Sequence, residues 1–289
     1  MMAEIINGKA IAEQVSSGLL SRVAELKRNG IIPGLGVILV GDDPASAVYV
    51  RNKKKTGEKL GIEVFIEHLP RNTEPDQVED LINRWNENSE IDGMIVQLPL
   101  PPQFEKQKTL DLVDPRKDVD GFSSANLGRL LSGQPRFIPG TPQGVLEILK
   151  RTNTRIKGRH SVIIGRSTIV GRPMAALLLR KVEDGWGDAT VTVCHSRTEN
   201  IPRYTRLADI LIVAVGRARF VKKEMVKEGA VVIDVGSNRV DNKWVGDVDE
   251  GVREVASKIT PVPGGVGPLT VIMLMKNTIQ AAEWRLKGS

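Results

Sequence analysis

The stretch Gly165-Arg166-Ser167-Thr168-Ile169-Val170-Gly171-Arg172-Pro173 decides the fold of this chain. It follows a short run of apolar residues, 161–164, and precedes an apolar segment with helical spacing, 174–181. The local order is therefore strand, glycine-bearing loop and helix. In such a unit, glycine lets the backbone approach a pyrophosphate, and the positive end of the helix dipole attracts its charge. The stretch predicts a Rossmann-like dinucleotide-binding domain.

The spacing within this loop departs from the general fingerprint G-x-G-x-x-G. Ser167 stands where the second glycine is expected, and Gly171 comes one residue late. Pro173 suits the first helical turn, where its missing N–H costs nothing. Taken alone, the loop is equally consistent with a tight strand-to-helix turn whose glycines, Gly165 and Gly171, serve only packing.

The segment after the next predicted strand, 190–194, carries information about the nucleotide. An NAD site usually has a carboxylate there for the ribose hydroxyls, whereas this chain continues with His195-Ser196-Arg197. Arg166, Ser196 and Arg197 can bind a 2′-phosphate that a carboxylate would repel. This favours NADP over NAD, although a solvated surface charge is the commoner fate of an arginine such as Arg197.

Apolar strand-like segments alternate with helical segments along the whole chain, which is typical of parallel α/β sheets. We predict strands at 35–40, 63–69 and 93–98 and, after the Pro- and Gly-rich segment Ile138-Pro139-Gly140-Thr141-Pro142, strands buried on both faces at 161–164, 190–194, 210–215 and 231–235. The predicted fold is α/β with two domains. They are a catalytic domain of residues 1–140, to which a final helix (269–289) returns, and a Rossmann-like NADP-binding domain of residues 141–268.

Composition excludes several classes of protein. The chain has 289 residues, 40% of them hydrophobic, which is enough for two domains with sizeable cores. No apolar run approaches the roughly 20 residues that span a bilayer, so we expect a cytoplasmic protein. The single cysteine, Cys194, cannot form an intrachain disulfide. The three histidines lie far apart in sequence, so we expect no metal site.

The net charge of +6 does not indicate a nucleic-acid partner. Lysines and arginines are spread along the chain, and their longest run is Lys53 to Lys55. Aromatic residues make up 4% of the chain, which leaves few side chains to stack on bases. The mild excess of positive charge fits a small anionic ligand at least as well.

Polar residues in the first half form a candidate catalytic set. Tyr49 and Lys53 are four residues apart in a predicted helix and share one of its faces. A tyrosine can orient a flat substrate, and the pKa of a lysine falls when its amine is desolvated. Gln97 comes near the end of a predicted strand, at the sheet edge where open α/β folds bind ligands. A solvated lysine run is the other interpretation of Lys53.

A turn with two carboxylates follows at Lys117-Asp118-Val119-Asp120-Gly121-Phe122. One carboxylate could accept paired N–H donors from a heterocycle. Asp-Gly pairs are also common in turns that have no functional role. The turn alone does not decide between these interpretations.

Five segments together resemble one family, that of bifunctional methylenetetrahydrofolate dehydrogenase/methenyltetrahydrofolate cyclohydrolase. They occur in that family's order and cover nearly the whole chain: Tyr49-Val50-Arg51-Asn52-Lys53, Val96-Gln97-Leu98-Pro99-Leu100-Pro101, Lys117-Asp118-Val119-Asp120-Gly121, Gly165-Arg166-Ser167 with Val170-Gly171-Arg172-Pro173, and Pro261-Val262-Pro263-Gly264-Gly265-Val266-Gly267-Pro268. Five coincident motifs are far more specific than any one of them.

The resemblance implies two steps of one-carbon metabolism in one cleft between the domains. Hydride passes from 5,10-methylenetetrahydrofolate to NADP, and water then opens the methenyl product to 10-formyltetrahydrofolate. By the same resemblance, Lys53 is the acid/base of hydrolysis, Gln97 tunes and positions it, Tyr49 packs on the folate, and Asp120 holds the pterin.

Further contacts follow from the same resemblance. The implied substrate contacts also include Val96, Leu98, Pro263, Gly264 and Gly265, and the implied NADP contacts are Gly165, Arg166, Ser167, Gly171, Ser196, Arg197, Gly216, Gly236 and Ser237. The family is usually homodimeric through its cofactor domain. No metal, membrane or nucleic-acid partner is implied.

Two alternatives stay open at this stage. A dehydrogenase without hydrolase activity would follow if Lys53 were fully protonated or misplaced. A nucleotide-sensing or RNA-binding module would use the basic surface, but the scattered charge and the set of Tyr49, Lys53, Gln97 and Asp120 argue against it.

Overall fold

A computed structural model describes residues 2–288, and within it the chain packs as two compact units. One unit comprises Gln14–Gly140 and the residues from Val271 onward. The other comprises the residues up to Glu13 and Thr141–Thr270. We call them the N-half unit and the C-half unit. The chain thus passes between the units three times.

The N-half unit contains a small parallel sheet. Its strands are β2 (Gly34–Val40), β3 (Glu63–Leu69) and β4 (Gly93–Val96), and β2 lies in the centre. Every residue of β2 is buried, as expected for a strand covered on both faces. The helices are α2 (Pro44–Leu60), α3 (Pro75–Glu87), α4 (Lys106–Asp111), α5 (Ser124–Leu131) and most of α1 (Gly8–Arg28) and α9 (Val266–Leu286).

The two long helices α1 and α9 are joined by an ion pair within this unit. Arg22 Nε lies 2.6 Å from Glu283 Oε1, and the Arg22 Nη2 group donates to Glu283 Oε2 at 2.7 Å. Arg285 of α9 forms a second ion pair with the buried Asp92 at 2.8 Å. The last helix of the chain therefore belongs to the packing of the first half, which confirms that it returns to this domain.

The C-half unit contains a six-stranded parallel sheet. Its strands are β1 (Glu4–Ile5), β5 (His160–Ile164), β6 (Thr190–Cys194), β7 (Ile210–Val213), β8 (Val231–Asp234) and β11 (Lys258–Ile259), in the order β1-β11-β8-β7-β5-β6. Helices α6 (Gly140–Arg151), α7 (Gly171–Leu179) and α8 (Ile201–Thr205) accompany it, and β9 (Asn238–Val240) and β10 (Lys243–Val245) form a hairpin. The predicted two-domain α/β fold with a Rossmann-like half is confirmed.

The strand order contains a switch point between β5 and β7. From β5 the chain passes outward to β6 and then returns to the other side of β5, where β7 and β8 follow. In open parallel sheets, ligands bind at the carboxyl ends of the strands at such a switch. The loops after β5 and β7 flank this position.

Several details differ from the sequence-based expectations. β4, β7 and β8 end one or two residues before their predicted ends, at Val96, Val213 and Asp234. β6 is an edge strand with two exposed residues, so the expectation that all four strands are buried on both faces is wrong for it. The final helix begins at Val266, because Pro268 falls in its first turn, where a missing N–H is tolerated. Residues 4–5 form a strand beside β11, so the start of the chain packs with the C-half unit.

Within residues 2–288, no helix has the length and apolar character of a membrane-spanning segment. No group of three or more His, Cys, Asp or Glu side chains in that range could hold a metal ion.

Candidate active site and cofactor loops

The helix that carries Tyr49 and Lys53 is fixed at its start by a cap. Asp43 accepts a hydrogen bond from Ser46 N at 2.7 Å, and Pro44 occupies the first helical position. The cap sets where α2 begins after the buried strand β2. Tyr49 and Lys53 lie one turn apart on this helix, and Tyr49 is 42% exposed. An exposed aromatic ring is free to take a flat ligand.

Lys53 and Gln97 meet directly. The Lys53 Nζ group donates to Gln97 Oε1 at 2.9 Å, and Gln97 Nε2 donates to Leu98 O at 2.7 Å. The second bond identifies the amide oxygen as the atom that faces the amine. Gln97 N donates to Ile38 O at 2.8 Å, so the backbone of this residue is tied to the central strand. The sheet therefore positions the amide and, through it, the lysine.

Asp120 completes the cluster electrostatically. Burial lowers the pKa of Lys53, and the negative charge of Asp120 raises it in part. Burial also raises the pKa of Asp120 to about 6; Lys53 opposes this shift and Asp118 adds to it. Burial thus disfavours the charged form of both groups, each group favours the charged form of the other, and the net shift for Lys53 is toward the neutral amine.

The turn that carries Asp120 is held by residues that do not belong to the predicted site. Asp118 is buried and accepts from Phe122 N at 3.2 Å, Ser123 N at 2.8 Å and Asn126 Nδ2 at 2.9 Å. Of the two carboxylates in this turn, Asp118 is therefore the one that holds the turn together. Asn277 of α9 also donates to Val119 O at 2.8 Å. The sequence offered no signal for Asn126 or Asn277.

Two of the predicted substrate contacts differ in exposure. The side chain of Val96 is 2% exposed and packs in the core, so only its backbone is available to a ligand. Leu98 is partly buried. Pro263, Gly264 and Gly265 lie in the C-half unit, in the loop before α9.

That loop is packed closely against the start of α1. A Cβ atom on Gly8 would overlap Gly265 O, and one on Gly265 would lie 2.5 Å from Pro261 O. Gly264 has φ +101°, a conformation that favours glycine. The backbone of this loop is thus restricted by close neighbours at Gly265 and by the positive φ of Gly264.

The loop after β5 brings three of the predicted cofactor residues together. Gly165 has φ +128°, and a Cβ atom on it would overlap Ala214 O, at the end of β7. A Cβ atom on Gly171 would overlap Gly165 O. Ser167 Oγ accepts from Val170 N at 3.1 Å, just before the start of α7. Both glycines are therefore required by the fold of the loop, and the serine holds the backbone that leads into the helix.

Polar groups that suit an anionic ligand surround this loop. Arg166, Ser196 and Arg197 are exposed. The turn after β6 is fixed by His195 N, which donates to Thr198 Oγ1 at 2.9 Å, and by Arg197 N, which donates to His195 Nδ1 at 3.2 Å. Two further predicted residues, Gly216 and Gly236, follow β7 and β8 at the same edge of the sheet.

Comparison with known proteins agrees with these features. A family model described as the catalytic domain of tetrahydrofolate dehydrogenase/cyclohydrolase matches residues 6–120, and one for its NAD(P)-binding domain matches residues 139–286. The bifunctional protein FolD of Halalkalibacterium halodurans is 53% identical over 284 residues, which cover 98% of this chain and 100% of that protein.

Solved structures agree over the same length. The bifunctional FolD enzyme of Campylobacter jejuni has a TM-score of 0.94 at 45% identity, with 98% of this chain and 99% of that one covered. The Trypanosoma brucei FolD enzyme, solved with NADP and an inhibitor, has a TM-score of 0.93 at 37% identity, with 99% of each chain covered. The chain described here belongs to the tetrahydrofolate dehydrogenase/cyclohydrolase family.

Proposed function

We propose that Lys53 is the acid/base of the cyclohydrolase step in this bifunctional enzyme of one-carbon metabolism. The observation that carries this proposal is the hydrogen bond from Lys53 Nζ to Gln97 Oε1 at 2.9 Å, in a partly buried site beside Asp120. The chain oxidises 5,10-methylenetetrahydrofolate to the methenyl compound and hydrolyses that product to 10-formyltetrahydrofolate.

The protonation state of Lys53 supports this role. The methenyl intermediate is a cation and is disfavoured beside a fully charged ammonium group. Burial lowers the pKa of Lys53, so a fraction of the amine is neutral and can take a proton from the attacking water. Gln97 accepts a hydrogen bond from the amine without adding a charge that would raise its pKa again.

Tyr49 and Asp120 are proposed to hold the folate. The exposed ring of Tyr49 offers a flat surface for the substrate. The Asp120 carboxylate is available for the paired N–H donors of a pterin, because Asp118 alone binds the backbone N–H groups of the turn. Pro263, Gly264 and Gly265 are proposed to contact the folate through the rigid backbone of their loop.

NADP is the proposed hydride acceptor. The glycines at 165 and 171, the start of α7 at Gly171 and the exposed Arg166 and Arg197 fit a dinucleotide that carries a 2′-phosphate. When bound, NADP accepts the hydride that leaves the methylene carbon. The NADP in the related Trypanosoma brucei enzyme supports the same choice here.

Absorbance measurements on the purified protein test both activities. With methylenetetrahydrofolate, we expect NADP to be reduced faster than NAD. With methenyltetrahydrofolate supplied alone, we expect its absorbance to decay faster than in buffer. No reduction of either nucleotide would contradict the dehydrogenase, and decay at the buffer rate would contradict the cyclohydrolase.

We also propose a homodimer and a cytoplasmic location. β6 has an unpaired outer edge, and Leu179 of α7 and Val193 of β6 are exposed, which supports pairing of this edge with a second copy. Analytical ultracentrifugation should give twice the mass of one chain, and a monomer mass would contradict this proposal. Cell fractionation tests the location.

A further inference from the structure

Two buried carboxylates lie behind the loops that follow β7 and β8. Asp234 ends β8 and is 4% exposed, whereas Asp247 follows β10 and is 0% exposed. Neither residue was singled out by the sequence. They accept hydrogen bonds from N–H groups of these two loops, of Asn238 and of the segment after β10, rather than from a lysine or arginine.

Asp247 binds the loop after β7 through three consecutive backbone N–H groups. Val215 N and Gly216 N donate to its Oδ2 at 2.7 and 2.9 Å, and Arg217 N donates to its Oδ1 at 2.8 Å. A carboxylate that accepts three successive N–H donors fixes the backbone conformation of that segment. Gly216 at its centre has φ +65°. The loop beside the switch point is therefore shaped by one side chain.

The same carboxylate reaches the loop after β8. Asn238 Nδ2, one residue beyond Ser237, donates to Asp247 Oδ1 at 2.8 Å. Asp234 accepts from Gly236 N at 2.9 Å and from Asp247 N at 3.0 Å. A Cβ atom on Gly236 would overlap the Asp247 carboxyl group. One connected set of hydrogen bonds thus fixes the backbone conformation of both loops.

A charge on Asp234 is costly in this buried position. Burial raises the pKa of Asp234 to about 6; three backbone N–H groups, those of Val248, Asp247 and Gly236, oppose that shift, and Asp247 adds to it. A pair of apolar residues would fill a core without this cost. We therefore attribute the two carboxylates to the loop conformations that they fix, and not to a gain in the free energy of unfolding.

We propose that Asp247 is a positioning residue for NADP: it fixes Gly216 directly, and Gly236 and Ser237 through Asn238 and Asp234, without touching the cofactor. This proposal rests on the proposed function, in which those three residues contact NADP. Cofactor affinity is then set partly by a residue outside the cofactor site.

The test compares Asp247→Asn with Asp249→Asn in the full chain. Asn keeps the shape but replaces one acceptor oxygen with an NH₂ group that faces backbone donors. Asp249 lies two residues on and pairs with exposed Lys222 at 2.8 Å, so its substitution is a matched control. We expect the Kd for NADP, measured by calorimetry, to rise about tenfold in Asp247→Asn, equivalent to about 1.4 kcal/mol.

Hydrolysis of methenyltetrahydrofolate without nucleotide separates positioning from unfolding. Its kcat should stay within about twofold in Asp247→Asn, because Lys53 and Gln97 belong to the N-half unit, and a global loss of structure would abolish it. If Asp247→Asn does not fold, Asn238→Ala decides, because it removes the Nδ2 donor and leaves the carboxylate in place. We expect about a threefold rise in Kd there.

Ser237→Asp distinguishes failure of this proposal from failure of the proposed function. If neither Ser237→Asp nor Asp247→Asn changes the Kd, the loop does not contact NADP and both proposals are overturned. If Ser237→Asp weakens binding and Asp247→Asn does not, only the positioning role is overturned. A chain that binds no NADP before any substitution would also overturn both.

Discussion

Lys53 and Gln97 meet through their side chains, whereas the loop from Gly165 to Gly171 depends on close backbone contacts at its two glycines. We propose that the first arrangement controls a proton, because it places a titratable amine against an uncharged hydrogen-bond acceptor. The second controls distance, because each missing Cβ atom lets two backbone segments approach. Substitutions in the two regions should therefore have different kinetic signatures: lost turnover in the first and lost nucleotide affinity in the second.

The largest expected effect is that of Lys53→Met. Removal of the amine should lower the cyclohydrolase kcat by at least about 100-fold, the lower range for a general acid/base, while folate binding is largely kept. The measurement is the decay of methenyltetrahydrofolate absorbance together with folate affinity. Lys54→Met, one residue on and exposed, is the control. Hydrolysis at the normal rate in Lys53→Met would remove this residue from its role.

The next effect should come from Gly171→Ala. Its new Cβ atom would overlap Gly165 O, so the loop has to shift at the point where the helix start meets the nucleotide. We expect the Kd for NADP to rise by about tenfold or more, with hydrolysis of supplied methenyltetrahydrofolate unchanged. Gly18→Ala has open space around it and serves as the control. Equal losses of NADP binding and of hydrolysis would instead indicate unfolding of the chain. That result would contradict the expected difference between the two regions.

Gln97→Glu tests the contact between the side chains of Lys53 and Gln97. A carboxylate at this position would favour the charged form of Lys53 and raise its pKa. Since the neutral amine is the base, the acidic limb of the cyclohydrolase pH profile should move to higher pH by about one unit. Gln134→Glu, exposed on the surface, should not move it. An unshifted profile in Gln97→Glu would mean that the amide does not tune the lysine.

The smallest effect should be that of Arg197→Ala. An exposed guanidinium contributes modestly to binding, so we expect the preference for NADP over NAD to fall by about fivefold and the kcat with NAD to stay constant. The ratio of kcat/KM for the two nucleotides measures this. Arg203→Ala, exposed on α8, is the control. If the unsubstituted enzyme has the same kcat/KM for NADP and for NAD, the proposed preference for NADP is wrong.

Much of the fold could be predicted because the residue pattern that indicates a strand, loop or helix lies within that element. β3 and β6 have the predicted bounds, and the glycine loop lies between strand and helix as expected. The two-residue strand β1 and the hairpin of β9 and β10 could not be predicted. Their sequences are too short and too polar for a periodic signal, and they exist because of pairing with distant segments.

The residues of the candidate site also differ in whether the sequence indicates them. Lys53, Gln97 and Asp120 could be proposed from the sequence because the segments that carry them resemble those of a known family, although Lys53 and Asp120 stayed undecided when each segment was considered alone. Asn277 and Asp247 could not, because their partners lie far away in the chain or across a turn whose geometry the sequence does not specify. Side chains that act through hydrogen bonds to backbone leave no motif of their own.

The three passages of the chain between its units bear on how the enzyme is made. A ribosome releases Gln14–Gly140 before Thr141–Thr270, yet the N-half unit also needs the part of α9 from Val271 onward, which is synthesised after both of these segments. The C-half unit likewise needs β1, from before Gln14, beside β11, from after Gly140. Neither unit is contiguous in the sequence. A fragment cut at any single point between residues 14 and 270 would therefore lack part of at least one unit.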